Sequence, residues 1–367
     1  MNLQCGLVGL PNVGKSTLFN ALTKGSAEAS NYPFCTIDPN VGIVHLPDER
    51  LEKIIGFVDP EKSIPTSTQF VDIAGLVAGA SKGEGLGNQF LSHIRETNAI
   101  IHVVRCFEDE NIVHVEGNIN PTRDIETINT ELLLADLDSM EKRLQKSEKK
   151  AKSSNDVLLK KEVELMKKVL NFLEKGEPVR SGEWDVDETK TIQLWNLISF
   201  KPILYVCNIA ESDITDSEKN KFVIEVQKIA TKEGAEILAL CSSLESEIIQ
   251  LESDEREEFL KDLGLKKSGL DLLIQKAYSM LGLITYFTAG KKEVRAWTIK
   301  QGYTAPQAAG VIHTDFEKGF IRAETYHCED LFKYKSEQAV KEAGKSRLEG
   351  KSYEVKDGDV LFFRFNV

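Results

Sequence analysis

The sequence has no apolar run that approaches the roughly 18–20 residues needed to cross a bilayer. The opening Met1–Cys5 carries no basic residue, and the apolar stretch there leads straight into a glycine motif. This is not the pattern of a secretory signal. We therefore expect neither a membrane span nor a cleaved leader.

Cysteine is scarce, and its six positions are scattered without any CxxC spacing. The lack of that spacing argues against the common zinc-binding patterns. Most of the cysteines lie in apolar runs, where a thiol behaves as a small hydrophobic group. We predict a reducing compartment, hence the cytoplasm.

Positive charge is also in deficit: 46 Lys and Arg stand against 58 Asp and Glu, a net charge of −12. Such a balance argues against nucleic-acid binding through the whole surface. Residues 283–367 carry 14 basic and 12 acidic residues, or +2, so the first 282 residues carry −14. A local nucleic-acid contact from the C-terminal end remains open.

The chain of 367 residues predicts two or three domains. Short apolar runs of strand length alternate with helical patterns in its first part, namely Cys5–Leu10, Gln69–Ile73, Ala99–Cys106, Pro202–Cys207 and Ala235–Cys241. Runs buried on both faces predict an α/β fold with a largely parallel sheet between helices. Val41–Leu46 and Gln69–Ile73 are expected to pair at its edge.

Helical periodicity without strands extends over about 123–199 and predicts two long antiparallel helices, joined near Ser153–Asn155. Their joint is basic, with Lys146, Lys149, Lys150, Lys152, Lys160 and Lys161. It is either a solvated tip or a contact for a phosphate backbone. Residues 283–367 predict a small α+β domain, with strands at Leu283–Phe287, Val294–Ile299 and Val360–Phe365 and a helix at Pro306–His313. The nucleotide domain would then comprise 1–122 and 200–282.

Gly9–Thr17 matches GxxxxGK(S/T) between a predicted strand and a predicted helix. In such a loop backbone N–H groups surround the phosphates of a nucleotide. Lys15 is expected to reach the β- and γ-phosphates, and the Ser16 hydroxyl to bind Mg²⁺.

A second phosphate element follows in Val71–Gly75, at the end of another predicted strand. Asp72 is placed to hold a water on Mg²⁺, and the Gly75 N–H to approach the γ-phosphate. The glycines that come next predict a switch segment ordered by that phosphate. Thr36 is the best candidate for a further Mg²⁺ ligand, with Thr66 and Thr68 as rivals beside a strand.

The base-reading motif of guanine-binding switches, NKxD, is replaced here by Asn208-Ile209-Ala210-Glu211. The longer carboxylate of Glu211 is misplaced for the guanine edge, and a carboxylate facing adenine N1 would be repelled. The 6-amino group of adenine can instead donate to the Asn208 amide oxygen or to a nearby carbonyl. The motif therefore favours ATP, and the segment Cys241–Leu244, which includes Ser242, is expected to form a loop that closes over the base.

GLPNVGKST, DIAGLVAGASKGEGLGNQFL and NIAE together resemble the YchF, or Obg-like, ATPase family over essentially the whole chain. The resemblance implies an inserted helical hairpin, a C-terminal TGS domain with a ubiquitin-like fold, weak ATPase activity dependent on Mg²⁺, and association with ribosomes or their subunits. Contacts with rRNA would come from the TGS domain or the hairpin; neither membrane nor DNA is an expected partner. Matched to the family motifs, phosphate binding falls on Asn12, Val13, Gly14, Lys15, Ser16 and Thr17, metal binding on Ser16 and Thr36, and base contact on Asn208, Ile209 and Glu211.

Leu76 stands where many switch GTPases have the glutamine that orients water, so slow intrinsic turnover is expected. Three sources of the missing function remain open: His114 from a later loop, a monovalent cation such as K⁺ held by Asn12, or a partner acting in trans. Two other functions also remain open, an Obg-type GTPase and a ribosome-binding adaptor that uses nucleotide only for stability.

Overall fold

A computed structural model describes residues 3–24, 40–73, 86–112 and 117–366. The chain divides into two compact units. One comprises Gln4–Gly42 and Phe70–Leu273, and the other comprises Met1–Leu3, Ile43–Gln69 and Ile274–Val367. In this division the insertion belongs to the unit that holds the nucleotide-binding segments, and Ile43–Gln69 belongs to the unit that holds the C-terminal segment. The three domains proposed from the sequence therefore stay a prediction.

The strands are β1 Gln4–Val8, β2 Val41–His45, β3 Ser63–Ile64, β4 Ser67–Asp72, β5 Ala99–Arg105, β6 Ile203–Asn208, β7 Glu236–Leu240, β8 Leu283–Ala289, β9 Val294–Lys300, β10 Phe320–His327, β11 Arg347–Glu349 and β12 Asp359–Phe365. The helices are α1 Lys15–Lys24, α2 Glu49–Val58, α3 Leu86–Glu96, α4 Pro121–Lys152, α5 Val157–Glu174, α6 Val186–Trp195, α7 Lys221–Glu233, α8 Ser242–Ile248, α9 Ser253–Asp262, α10 Gly269–Met280, α11 Ala305–Ile312, α12 Thr314–Lys318, α13 Cys328–Tyr334 and α14 Glu337–Glu342.

The first sheet has the strand order β2-β4-β1-β5-β6-β7. β1, β5, β6 and β7 pair in parallel, and every residue of β5 and β6 is buried. The parallel pairing confirms the predicted sheet. The burial of whole strands agrees with it, because both faces of such strands are covered by helices. β2 and β4 are neighbours at the edge, as predicted, but α2 and β3 lie between them in the chain and were not predicted.

The insertion consists of α4 and α5, as its periodicity predicted, and an additional helix, α6. Asn120 and Asp156 cap the two long helices by accepting hydrogen bonds from backbone N–H groups of their first turns. The three helices enclose a core to which each contributes, including Met140, Met166 and Trp195. The insertion therefore has a hydrophobic core of its own beside the sheet.

The second unit is built on a mixed sheet of order β11-β10-β12-β8-β9-β3, in which β12 pairs with β8 in parallel and β10 pairs antiparallel with β11 and β12. Helices α2 and α13 pack on one face, and α11 packs on the other. The predicted strands and the helix near 306–313 are confirmed. The contribution of α2 and β3 was missed, because nothing local in their sequence shows which distant segment they join.

No helix within the described ranges is both long and apolar enough to cross a membrane. All five cysteines of those ranges are buried, and no disulfide joins any two of them. The reducing compartment remains a prediction.

Candidate nucleotide site

The loop between β1 and α1 has a backbone shape that requires its glycines. A Cβ on Gly9 would lie 2.7 Å from the Val103 carbonyl oxygen. Gly14 has φ +93°, and a Cβ there would collide with the Asn208 amide. Since Asn12 is also left-handed, at φ 62°, the chain turns sharply before α1 begins at Lys15. The sequence therefore forms a phosphate-binding loop with the first turn of a helix directly behind it.

The two phosphate motifs meet in space. Lys15 is buried, and its ammonium group contacts the carboxylate of Asp72 at the end of β4. The backbone holds this arrangement, since the N–H of Ile73 donates to the Leu7 carbonyl at 3.2 Å. The structure thus brings together Lys15 and Asp72, which stand 57 positions apart in the sequence.

Ser16 and Thr17 are exposed on the first turn of α1. The Ser16 hydroxyl and the Asp72 carboxylate are hard oxygen donors of the kind that Mg²⁺ prefers. Their chemistry therefore fits the predicted Mg²⁺. The described ranges contain no cluster of three or more His, Cys, Asp or Glu side chains that could hold a metal ion.

Asn208 connects the predicted base motif with the phosphate loop. Its Nδ2 donates to the Val13 carbonyl at 2.9 Å, and its Oδ1 accepts from the Ser242 N–H at 2.9 Å. Because the partners are a fixed acceptor and a fixed donor, they determine the orientation of the amide. Asn208 therefore braces the site, and a contact from its oxygen to the 6-amino group of adenine would use the second lone pair.

The neighbouring base-site candidates differ in accessibility. Ile209 is 2% exposed, and its N–H donates to the Leu240 carbonyl at 2.9 Å. Glu211 is exposed and begins the 3-10 turn Glu211–Asp213. The side chain of Ile209 thus packs inside the protein, whereas the carboxylate of Glu211 faces solvent.

Ser242 begins helix α8, where the sequence predicted a loop. Its hydroxyl is buried and has no hydrogen-bond partner within the described part of the chain. The oxygen lies 3.4 Å from the position that a Cβ on Gly14 would take. A buried hydroxyl without a partner is costly, so its place beside the phosphate loop fits a polar ligand.

Thr36, Gly75 and His114 lie outside the described residues, and their predicted roles stay predictions. The rival threonines lie elsewhere: Thr66 hydrogen-bonds the Thr298 hydroxyl, and Thr68 lies within β4.

The sequence analysis missed Arg105, which ends β5. It is 1% exposed and donates hydrogen bonds to the carbonyls of Phe107, Asp109 and Ile112, at 3.2, 3.2 and 2.9 Å. Its side chain thereby fixes the segment that leads toward His114. The only available signal was an arginine at the end of an otherwise apolar run.

Two family models match the chain. One, described as a 50S ribosome-binding GTPase, matches residues 4–209. The other, a C-terminal YchF-GTPase model described as a protein of unknown function, matches residues 283–366.

Relatives match over the full length. The chain is 57% identical over 367 residues to the ribosome-binding ATPase YchF of Pasteurella multocida and 54% identical over 368 residues to that of Bacillus subtilis, with 100% of each chain covered. Among solved structures, the YchF GTPase of Schizosaccharomyces pombe superimposes with a TM-score of 0.89 at 41% identity, covering 99% of this chain and 98% of that one.

Proposed function

Because the chain belongs to the YchF family of P-loop nucleotide hydrolases, we propose that it binds ATP in preference to GTP, hydrolyses it slowly and associates with the ribosome or its subunits. The observation that carries this proposal is the convergence of three segments. Lys15 contacts Asp72, and Asn208 ties the phosphate loop to the segment that would hold the base.

The names given to the relatives differ on the nucleotide: two bacterial relatives are called ATPases, and the fission-yeast structure is called a GTPase. The residues support ATP. The lysine of NKxD would be replaced by the buried Ile209, and its aspartate by the exposed Glu211. Without a correctly placed aspartate, the N1–H and 2-amino donors of guanine would lose their acceptor, and an unpaired donor costs affinity.

Lys15 is the group that would neutralise the β- and γ-phosphates, exchanging its contact with Asp72 for the ligand. Ser16, Thr36 and Asp72, the last through a water, would hold Mg²⁺, which neutralises phosphate charge when bound. Gly75 would offer its N–H to the γ-phosphate, while Val13, Gly14 and Thr17 line the loop.

Slow turnover follows from Leu76, which cannot orient a water. His114, which follows β5 in the sequence, is our candidate for that role. The alternatives are a K⁺ ion held by Asn12 and a partner that acts in trans. An unchanged turnover number in His114→Ala would remove the histidine, and equal rates in sodium and potassium buffers would remove the cation.

The nucleotide is tested by equilibrium titration with fluorescent ATP and GTP analogues in Mg²⁺ and K⁺ buffer. We expect ATP to bind at least about tenfold tighter, about 1.4 kcal/mol. Glu211→Asp should narrow this gap, with the exposed Glu218→Asp as the matched control. Adding Ile209→Lys would bury an ammonium group, so that double variant is interpretable only if its melting temperature is retained.

Tighter binding of GTP would instead identify an Obg-type GTPase. Binding without any hydrolysis, even with ribosomes present, would favour the adaptor function.

Ribosome association is tested by co-sedimentation with purified ribosomes and separated subunits, with ATP, with ADP and without nucleotide. Contact with rRNA through the C-terminal domain or the hairpin would be supported by cross-links from those segments to rRNA.

A further inference from the structure

Exposed aliphatic side chains are concentrated on two helices of the insertion. Among the large hydrophobic residues of the described ranges, the four most exposed are Leu194 at 82%, Leu158 at 76%, Val186 at 69% and Val157 at 64%. All four belong to α5 or α6. Single exposed aliphatics are ordinary on a protein surface, but a cluster of them marks an interaction surface.

Three of these side chains, Val157, Leu158 and Leu194, line one groove of about 1090 Å³ between α5 and α6. Polar contacts join its two walls: Lys168 Nζ lies 3.0 Å from the Glu188 carboxylate, and the indole N–H of Trp195 donates to Glu162 at 3.2 Å. Beneath them Leu165 and Ile192 pack in the core of the insertion. The groove is therefore a surface between two helices that are fixed relative to each other.

The charges along this groove favour a basic occupant. Six carboxylates line it, from Asp156, Glu162, Glu164, Asp185, Asp187 and Glu188. Three lysines line it as well: Lys160, Lys161 and Lys168. This excess of negative charge repels phosphate groups and attracts Lys and Arg side chains. In addition, the lining has no aromatic side chain and no arginine on which a base could stack, as single-stranded RNA recognition requires.

We propose that the groove between α5 and α6 docks an amphipathic, basic helix of a partner protein. Such a helix would place apolar side chains spaced three and four residues apart against Leu158 and Leu194, and its flanking Lys or Arg side chains against the carboxylates. The inference deepens the proposed ribosome association, since it assigns a protein contact to the insertion. Two lysines of the basic joint between α4 and α5, Lys160 and Lys161, also line this groove, but its six carboxylates outnumber its three lysines.

The first test measures anisotropy of a fluorescein-labelled helical peptide of leucine and lysine, about 18 residues long. We expect Leu158→Ser with Leu194→Ser to weaken its binding at least about tenfold. Ile224→Ser, at an exposed position of α7, should leave it unchanged. Both variants should retain the wild-type melting temperature and ATP turnover, because the substituted side chains are exposed and lie outside the nucleotide site.

Two matched probes sharpen the result: a leucine and glutamate peptide of the same length, and an oligouridylate of about 20 nucleotides. Equal binding of the acidic peptide, or an unchanged Kd in the Leu158 and Leu194 variant, overturns the proposal. The proposal is also overturned if the oligouridylate binds the wild type and the Leu158 and Leu194 variant no longer binds it. A dimer in size-exclusion chromatography that the variant abolishes would mean that a second copy of the chain covers the groove, and it also overturns the proposal.

The second test uses purified ribosomes and a photo-cross-linking residue at Leu194, with the same residue at Ile224 as the control. Cross-links to a ribosomal protein at Leu194 but not at Ile224 support the proposal, and cross-links to rRNA alone overturn it. Absence of any co-sedimentation would remove the proposed ribosome association instead. The peptide titration would then still decide whether the groove takes a basic helix.

Discussion

Two regions of the same unit employ buried polar side chains in opposite ways. At the nucleotide site, the Lys15 ammonium group contacts a carboxylate that is itself a predicted metal ligand, and the Ser242 hydroxyl lacks a partner within the described ranges. At the base of the insertion, Asp136 is fully buried and accepts three hydrogen bonds, from the N–H of Ile198 and from the N–H and hydroxyl of Ser199.

A second carboxylate, that of Glu233 at the end of α7, is satisfied equally well, in part by donors from the insertion. Glu233 accepts from Arg180, from the Tyr205 hydroxyl at 3.0 Å and from the Asn129 amide at 3.1 Å. A carboxylate whose oxygens are all engaged by protein donors stabilises the fold. A polar group with an exchangeable or missing partner retains capacity for a ligand, and the contrast separates structural from functional sites within one unit.

The largest expected effect is the loss of Asp136. In Asp136→Ala the two backbone N–H groups and the Ser199 hydroxyl lose their acceptor in the interior, which should cost about 3–5 kcal/mol of unfolding free energy. Urea unfolding measures it, with the exposed Asp138→Ala on the same helix as the control. If both variants lost equally little, the satisfied carboxylate would not be structural, and the comparison would fail.

Lys15→Ala should behave in the opposite manner. We expect ATP affinity to fall about a hundredfold, about 2.7 kcal/mol, because the phosphates lose their cation. The unfolding free energy of the ligand-free protein should fall less than in Asp136→Ala, because the Asp72 side chain is 20% exposed and water can hydrate its carboxylate once Lys15 is removed. Lys24→Ala, in the last turn of the same helix, is the matched control for the titration. A large loss of stability with unchanged affinity would assign the Lys15–Asp72 pair to the fold.

His102 tests the boundary of the comparison. Burial, with a smaller contribution from the Arg180 charge, lowers its pKa to about 3. Its Nδ1 has no partner in the described part of the chain, yet it lies in β5 with its ring 5.4 Å from that of Tyr205. An unpartnered group here therefore lies within the sheet core rather than beside the phosphate loop.

The unfolded chain takes up a proton at His102 near pH 6.5, whereas the folded protein does not, so the stability due to this residue is complete above that pH and is lost below it. From pH 7.5 to 5 the loss should be about 2 kcal/mol. Urea unfolding at both pH values should show it in the wild type and show less in His102→Leu. Equal losses in the two proteins would assign the pH dependence to other groups.

The outcome of the sequence analysis follows the range of the interactions. The phosphate loop, the parallel strands and the two long helices were predictable because their patterns are local, as in Gly14-Lys15-Ser16. The brace through Asn208 was not, because it depends on bringing Val13 and Ser242 together across the sheet. Likewise the role of Arg105 and the place of α2 in the second unit depend on tertiary contacts that no local pattern records.

Ser242→Ala has the smallest expected effect, but it discriminates best between a polar group that binds ligand and one that is only buried. Removing a buried hydroxyl without a partner relieves a desolvation cost, so the ligand-free protein should gain up to about 1 kcal/mol of stability. ATP affinity should nevertheless fall about fivefold, about 1 kcal/mol, if the hydroxyl finds its partner in the nucleotide. Thermal unfolding with and without nucleotide measures both, and Ser243→Ala, at the exposed neighbouring serine, should change neither. A gain in stability with unchanged affinity would place Ser242 with His102, as a polar group that is buried but has no part in binding.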